Sequence, residues 1–318
     1  MSTWLVGAGY MAQEYAKVLN ELVSEYEVIG RGQKSALDFE SATNHFVRQG
    51  GLSKALKELK PPNQAIVAVG VEDLSKIAAE LVRSGVKRIL LEKPGGLHKK
   101  EILDLSKLAQ AQDSDILIAY NRRFYESTKA LKQLIKKDGG ATSCIFEFTE
   151  WSHIISPLIK APGVKESWFL ANSTHVADLA FYICGFPKDF MAWQQGSLSW
   201  HPSSARFCGS GVTEKDILFS YHADWSAPGR WGIEVNTIKN RYILRPLEEL
   251  QVVELGSVKV QSIKIDDKID KQFKPGVYNQ IKAFIDSDDS IFCSIEEQLQ
   301  HIDIFNKIAG YDKFQPTN

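Results

Sequence analysis

The sequence of 318 residues has only four cysteines, no long apolar run and no excess of charge of either sign. The cysteines are far apart and form no Cys-x-x-Cys pair, so we expect reduced thiols, no disulfide framework and no metal site. The apolar stretch at 65–71 is too short to span a membrane. Basic residues number 38 and acidic residues 39, and no basic block is present, which argues against a nucleic-acid partner.

No cationic segment precedes the first apolar residues, so no signal peptide is expected and the expected location is cytoplasmic. The hydrophobic fraction of 44% and the charged fraction of 24% are typical of a globular chain. At about 150 residues per domain, the length predicts two domains.

Strands and helices alternate through the first 120 residues. Strands are predicted at 3–6, 27–30, 65–69, 87–91 and 115–119, with helical patterns between them. The second helix is expected to begin at Ser35, with Asp38 in capping-box spacing. This alternation predicts an α/β fold with a doubly wound parallel sheet of the Rossmann type over residues 1–122.

The pattern changes after residues 139–140, where strictly alternating strands begin. Apolar residues recur at every second position in 217–225 and again in 231–235, which predicts an antiparallel sheet with one covered face. Asn240 is expected to take a left-handed conformation in a hairpin turn. Residues 123–318 are therefore predicted to form a second domain.

Two amphipathic helices close the chain. Tyr278, Ile281 and Ile285 share one face of the first, and Ser294 with Glu297 forms a capping box at the start of the second. We assign both helices to the second domain, with packing back onto the first domain as the alternative.

A glycine-rich turn follows the first strand. The residues from Gly7 to Ala12 read Gly-x-Gly-x-x-Ala and open a helix, a pattern typical of dinucleotide binding. Gly7 permits the tight turn, Gly9 lets the backbone approach a pyrophosphate, and the N–H groups at Tyr10 and Met11 can bind its oxygens. The alternative is a strand–helix turn that binds nothing.

The end of the second strand bears on the choice between NAD and NADP. An acidic residue at this end hydrogen-bonds the ribose 2′-hydroxyl of NAD. Glu27 lies at the wrong end of the strand, whereas Arg31 follows it and can bind a 2′-phosphate through paired hydrogen bonds. We therefore favour NADP, with NAD and a merely solvated arginine as the alternative.

Lys93 stands at the C-terminal end of the fourth strand, within the triplet Glu92-Lys93-Pro94. Ligands of open parallel sheets bind at this end. Partial burial near a cationic nicotinamide would lower the pKa of the lysine, which suits a residue that exchanges the proton accompanying hydride transfer. A surface lysine before a turn proline is the alternative.

The chain resembles the glucose–fructose oxidoreductase/inositol dehydrogenase family. The resemblance rests on the glycine turn, the Glu92-Lys93-Pro94 triplet, Tyr-Asn-Arg-Arg-Phe at 120–124, Asn-Ser-Thr-His-Val-Ala-Asp at 172–178 and Pro-Gly at 275–276. It implies a Rossmann domain and a C-terminal α+β domain with a large, mostly antiparallel open sheet that forms a homodimer or higher oligomer. It also implies NAD(P)-dependent chemistry on sugars, carried by Lys93 and His175.

Two segments depart from the family pattern. Ala171 stands where the family often has an aspartate, four residues before the histidine, and residues 69–72 replace a Thr-Pro pair. Gly70 in that segment, like Glu92 and Lys93, is kept as a cofactor-binding candidate. The missing aspartate leaves open a variant relay or an inactive relative.

The segment around the histidine predicts a helix. Asn172, Ser173 and Thr174 are good N-cap residues, so His175 is expected in the first turn, where the helix dipole disfavours its protonated form. A neutral histidine can donate a hydrogen bond to a sugar oxygen or relay a proton. Asn172 is a candidate substrate contact.

Asn121, Arg123 and Trp151 are further substrate-binding candidates. The first two follow the strand at 115–119 and are expected to point toward the ligand, with a salt bridge between the domains as the alternative. Trp151 can stack on a sugar ring, with burial as its alternative.

These features together support the hypothesis of an enzyme that transfers a hydride between NADP or NAD and a sugar or nucleotide-activated sugar. One alternative is a reductase of a non-sugar carbonyl or imine on the same scaffold. The other is a protein that binds the cofactor without catalysis.

Overall fold

The computed structural model describes residues 2–22 and 25–313. The chain divides into two compact units. The first contains the residues up to Phe124 together with Ile269–Gln300, and the second contains Tyr125–Lys268 and the residues from His301 onward. Among the described residues, no helix combines the length and the apolar character that a membrane crossing requires.

The elements are numbered in chain order. The strands are β1 (Thr3–Val6), β2 (Tyr26–Gly30), β3 (Val47–Gln49), β4 (Gln64–Val67), β5 (Arg88–Glu92), β6 (Asp115–Ala119), β7 (Ser143–Glu147), β8 (Pro187–Gln195), β9 (Arg206–Thr213), β10 (Leu218–Asp224), β11 (Gly232–Asn236), β12 (Asn240–Leu244), β13 (Gln251–Glu254), β14 (Gln261–Ser262) and β15 (Cys293–Ser294). The α-helices are α1 (Tyr10–Glu21), α2 (Gln33–Thr43), α3 (Leu52–Glu58), α4 (Leu74–Arg83), α5 (Lys99–Ala111), α6 (Glu126–Lys137), α7 (Ser152–Ile155), α8 (Thr174–Cys184), α9 (Lys268–Gln272), α10 (Val277–Asp286) and α11 (Ile295–Ala309).

The first unit is built on a seven-stranded sheet. Six parallel strands lie in the order β3-β2-β1-β4-β5-β6, and β15 pairs antiparallel with β6 at the edge. This is the strand order of a dinucleotide-binding Rossmann fold, so the predicted doubly wound parallel sheet is confirmed. The order reverses between β1 and β4, which places a crevice at the C-terminal ends of these strands.

Helix α10 belongs to the core of the first unit. Its Val277, Ile281 and Phe284 lie in one buried cluster with apolar residues of α1. The expected stripe of Tyr278, Ile281 and Ile285 is therefore wrong by about one position, since Tyr278 and Ile285 are only partly buried. Tyr278 and Ile285 therefore lie at one edge of the buried face rather than at its centre.

Two short elements of the first unit, β3 and α3, were not predicted because three and seven residues carry too little periodicity. Helix α2 begins at Gln33, two residues before the predicted start. The Ser35 hydroxyl does not cap it but donates to the carbonyl of Gly32 (3.0 Å).

The second unit is built on an eight-stranded sheet in the order β14-β13-β12-β11-β7-β10-β9-β8. All neighbours are antiparallel except β7 and β10, so the mostly antiparallel α+β domain is confirmed. The predicted alternation holds in β10, where Phe219, Tyr221 and Ala223 are buried. Trp225 follows them and donates from its indole Nε1 to the carbonyl of Phe148 (3.1 Å).

The turn between β11 and β12 differs from the prediction. Asn240 is not among the residues with positive φ. Instead one oxygen of Asp138 accepts hydrogen bonds from Thr237 (2.9 Å), Asn240 (2.8 Å) and Tyr242 (2.8 Å). Burial alone would raise the pKa of Asp138, but these three donors hold it below its usual value. A side-chain anchor thus shapes the turn without a left-handed residue.

His201 is fully buried in the second unit and joins three segments. Its Nδ1–H donates to the carbonyl of Ser204 (2.7 Å), and its Nε2 accepts from the Tyr311 hydroxyl (2.9 Å). The Tyr311 oxygen accepts in turn from the N–H of Phe169 (3.1 Å). Only a neutral imidazole satisfies this chain, and burial lowers the pKa of His201 to about 4.

This histidine predicts an acid-sensitive second unit. Above pH 6.5 the imidazole is neutral in both states, whereas below it the unfolded state binds a proton that the folded state does not bind until about pH 4. The free energy of unfolding should therefore fall by about 3 kcal/mol between these values. Urea denaturation of wild type, His201→Gln and the exposed control His222→Gln measures this. Identical pH slopes in all three proteins contradict the assignment.

Candidate functional site

A cleft of about 640 Å³ opens in the first unit at the reversal of strand order between β1 and β4. Open α/β sheets bind their ligands at this position. The structure brings six of the predicted cofactor-binding residues to its walls. They are Gly7, Gly9, Tyr10, Met11, Arg31 and Gly70.

The two glycines of the turn are required for different reasons. Gly7 has φ of +129°, and a Cβ there would lie 2.1 Å from the carbonyl oxygen of Ala68 at the end of β4. Gly9 has an ordinary φ of −88°, and a Cβ there would meet no atom of the protein within 4 Å. Packing within the protein explains Gly7, whereas at Gly9 no protein atom occupies the space that a Cβ would enter.

The start of α1 is suited to an anion. Gly9 is its N-cap and offers no side-chain hydrogen bond, and the first turn contains no acidic residue. The first amides of the helix therefore face the cleft with the positive end of a 12-residue helix behind them. A pyrophosphate fits this cradle in charge and in the open space beside Gly9.

The ribose side of the cleft carries Arg31 but no carboxylate on the same loop. The Arg31 guanidinium, whose side chain is 82% exposed, lies 3.1 Å from the Asp73 carboxylate. Glu27 pairs instead with Arg48 of β3 (2.8 Å) and does not line the cleft. The structure thus separates these two residues as expected from their positions on β2.

Glu92 and Lys93 lie at the end of β5 and do not line the cleft. Burial raises the pKa of Glu92, an effect partly offset by the hydrogen bond from the Tyr15 hydroxyl and by the charges of Lys93 and Lys274. Lys93 is only 9% exposed. The triplet therefore places a partly buried carboxyl beside a largely buried ammonium.

Tyr15 and Lys274 were missed by sequence reasoning. Lys274 Nζ lies 5.3 Å from the centre of the Tyr10 ring, on the wall of the cleft. Its position next to Pro275 and Gly276 is the signal that could have identified it. Nothing in the local pattern of α1 distinguishes Tyr15 from an ordinary core residue.

Asn121 and Arg123 are both buried within the first unit. The Asn121 amide donates to the carbonyl of Pro275 (3.0 Å), and Arg123 pairs with Glu297 (3.0 Å). The Arg123–Glu297 pair lies within the first unit and is not the salt bridge between domains that was the alternative. The contact of Asn121 and Arg123 with a substrate stays a prediction. Glu297 also donates its backbone N–H to Ser294 (3.1 Å), as the capping box requires.

His175 does not lie at a free helix terminus. Helix α8 begins at Thr174, so His175 lies in its first turn as expected. A π-helical turn, Phe169–Ser173, runs directly into α8, so the helix does not start with free amides and the dipole effect expected at His175 is reduced. His175 is 9% exposed, and its ring centre lies 6.2 Å from that of Trp231.

The predicted capping residues hold a buried carboxylate instead. One oxygen of Glu150, a residue 2% exposed, accepts from the Asn172 amide (2.8 Å) and the Ser173 hydroxyl (2.7 Å). Sequence reasoning missed this role of Glu150, which follows β7 in the chain. The second unit therefore holds a carboxylate beside the helix start although Ala171 has none.

Trp151 is 47% exposed, so the alternative of burial is wrong. Its indole Nε1 donates to the carbonyl of Gly229 (2.8 Å). The guanidinium of Arg230 lies 4.9 Å from the Trp151 ring centre and 4.5 Å from that of Trp231. Arg230 was not predicted, because it precedes β11 without any motif.

No protein-family model matches the chain. None of the curated proteins matches it either.

The chain is similar to several solved structures. A UDP-N-acetylglucosamine 3-dehydrogenase from Acidithiobacillus ferrooxidans superposes with a TM-score of 0.75 at 14% identity, covering 97% of this chain and 96% of that one. Levoglucosan dehydrogenase in complex with NADH gives 0.79 at 14%, covering 98% and 96%. An oxidoreductase from Agrobacterium radiobacter in complex with NAD⁺, L-tartaric acid and magnesium gives 0.77 at 11%, covering 96% and 94%. At these identities the similarity is one of fold.

The open space beside Gly9 gives a direct test of the cleft. Gly9→Val should leave the free energy of unfolding within about 1 kcal/mol of wild type, because a Cβ at this position meets no protein atom within 4 Å. It should weaken NADH and NADPH binding by more than about tenfold, because the side chain fills the space next to the helix amides. Fluorescence titration with both dinucleotides measures the affinity. Unchanged binding by a normally folded variant contradicts the cradle.

Proposed function

We propose that the chain is an NAD(P)-dependent oxidoreductase that transfers a hydride between a nicotinamide and a hydroxyl or carbonyl carbon of a sugar or nucleotide-activated sugar. The observation that carries the proposal is the cleft at the strand reversal. There Gly7 lets β1 pass close to Ala68, and Gly9 leaves space in front of the uncapped start of α1. This is the chemistry that a dinucleotide pyrophosphate requires.

The similar structures support the choice of substrate class. One of them acts on UDP-N-acetylglucosamine and another on levoglucosan, which are a nucleotide-activated sugar and an anhydrosugar. A fold alone does not determine a substrate, so the choice also relies on the polar site of the second unit. Its exposed Trp151 provides the flat apolar surface on which a sugar ring can stack.

A bound nicotinamide supplies or accepts the hydride in this proposal. Lys93 holds or delivers the accompanying proton at its Nζ, since it lies at the ligand-binding end of β5 and is shielded from water. The adjacent Glu92 carboxyl positions the lysine through its charge. His175 and Asn172 of the second unit are proposed to bind the substrate oxygens.

A protein that binds the cofactor without catalysis is the second candidate, favoured by Ala171. The buried carboxylate of Glu150 beside Asn172 weakens it, because the second unit does not lack an acidic group. A screen of cofactor absorbance with levoglucosan and UDP-N-acetylglucosamine separates the two candidates. Tight cofactor binding without turnover of any sugar favours the second.

We also propose that the open face of the second unit's sheet joins copies of this chain. Ile145 and Met191 lie in one row across four strands with Ser220 and Ser210 between them. Ile145 is 41% exposed, Met191 is 60% exposed, and Trp193 on the same sheet is 52% exposed. Apolar surface of this kind is typical of a protein interface.

Lys93 gives the test of catalysis. Lys93→Ala should lower kcat by about 10²- to 10⁴-fold, because the proton exchange loses its positioned group, while cofactor affinity stays near that of wild type. Steady-state kinetics with the best sugar of the screen measures this. Lys100→Ala is the control, since Lys100 is exposed and pairs only with Asp104. Full turnover by Lys93→Ala refutes the assignment.

Arg31 gives the test of cofactor preference, for which we propose NADP over NAD. Arg31→Ala should weaken NADPH binding by about tenfold and leave NADH binding unchanged, because only NADPH has the 2′-phosphate that the guanidinium is proposed to bind. Arg48→Ala is the matched control, an arginine paired with a carboxylate outside the cleft. Wild-type protein that binds NADH as tightly as NADPH removes this proposal.

A further inference from the structure

In the second unit, the exposed guanidinium of Arg230 lies within a cluster of aromatic rings. Arg230 lies directly before β11, and Trp151 follows β7, which pairs antiparallel with β11 at Glu147 and Gly232. Both segments therefore emerge at the same end of the sheet. The hydrogen bond from Trp151 to Gly229 ties the two segments together.

The Arg230 guanidinium is held in a fixed orientation. It contacts the rings of Trp151 and Trp231, and its Nη1 lies 3.5 Å from a Glu150 oxygen. Stacking of a planar guanidinium on indole rings restricts its rotation before any ligand arrives. Less side-chain entropy is then lost when a ligand binds.

The accessible charge of this cluster is positive. Arg230 is 46% exposed, whereas the Glu150 side chain is only 2% exposed and already accepts from Asn172 and Ser173. The exposed His153 ring stacks beside Trp151, with the ring centres 6.4 Å apart. An incoming group meets the cation and the imidazole, and the carboxylate lies behind them.

The proposed reacting histidine belongs to the same cluster. The His175 ring faces Trp231, which in turn carries Arg230 on its ring. The imidazole and the guanidinium therefore lie near the same indole. This shared neighbour places both groups in one cluster, in which a small molecule can offer an oxygen to His175 and an anionic substituent to Arg230.

We propose that Arg230 and the exposed face of Trp151 form a subsite for a sugar that carries an anionic group, a carboxylate or a phosphate. The inference rests on the proposed function for its placement beside His175, and it deepens that function by naming the substrate class. The forked N–H groups of arginine match both anions through paired hydrogen bonds. The sugar ring stacks on Trp151.

Equilibrium binding tests the subsite without relying on turnover. Calorimetric titrations of NADPH-saturated protein use D-glucuronate, D-glucose 6-phosphate, UDP-N-acetylglucosamine and neutral D-glucose. Wild type should bind at least one anionic probe about tenfold to a hundredfold more tightly than glucose. Glucuronate carries a carboxylate, glucose 6-phosphate a monophosphate and UDP-N-acetylglucosamine a diphosphate, so the three probes distinguish the anionic groups.

Two variants and one control assign this preference to Arg230. Arg230→Met should bind anionic and neutral probes alike, and Arg230→Lys should keep part of the preference, because a charge remains near Glu150 without the fork. Arg241→Met should behave as wild type, since Arg241 is similarly exposed (45%) but pairs with Glu234. Arg230→Lys also covers the case in which Arg230→Met unfolds because Glu150 loses the guanidinium beside it.

Failure of the inference differs from failure of the proposed function. Wild type that binds no anionic probe, or that binds glucose equally well, overturns the subsite even if sugars are turned over. The subsite is also overturned if both Arg230→Lys and Arg230→Met keep the full preference for anionic probes. A preference that is lost in Arg230→Met and reduced in Arg230→Lys, in a protein that turns over no sugar, supports the subsite and contradicts the oxidoreductase.

Discussion

The close approach of β1 to the end of β4 is the constraint on which the candidate cofactor site depends. A Cβ on Gly7 would overlap the carbonyl oxygen of Ala68. Because the backbone passes so close, the chain can turn sharply from β1 into α1 and direct the helix amides into the crevice. The parallel pairing of β1 with both β2 and β4 then leaves the crevice open at the point of reversal.

The second unit holds the carboxylate of Glu150 in a place from which water is excluded. Glu150 would be strongly destabilising if it were alone, since a buried charge needs compensation. Its two neutral donors and the nearby guanidinium provide this compensation. They also fix the start of α8, so that the residues expected to cap the helix position a charged group instead.

Sequence reasoning captured features set by local pattern. The five main strands of the first sheet follow from apolar runs, and the sharp turn from β1 into α1 follows from the conformation that glycine permits at Gly7. The apolar residues at every second position of β10 likewise indicated which of its side chains are buried. These features need no knowledge of distant contacts.

Features set by contacts between distant segments were not predictable. Glu150 and Asn172 are 22 residues apart, and no spacing rule relates the end of a strand to a helix start in this way. The π-helical turn before α8 is invisible in a pattern that reads Asn172 and Ser173 as caps. Likewise, α10 is placed by its packing on α1 rather than by its own stripe.

Net charge is a poor guide to the chemistry of such a site. The chain as a whole carries a formal charge of −1, which suggests no preference for an anion or a cation. Recognition depends on which charges are buried and which are exposed, because a buried carboxylate compensated by neutral donors acts weakly on a ligand outside. For the binding of an anion, the fact that Arg230 is exposed while Glu150 is buried therefore matters more than the balance of 38 basic and 39 acidic residues.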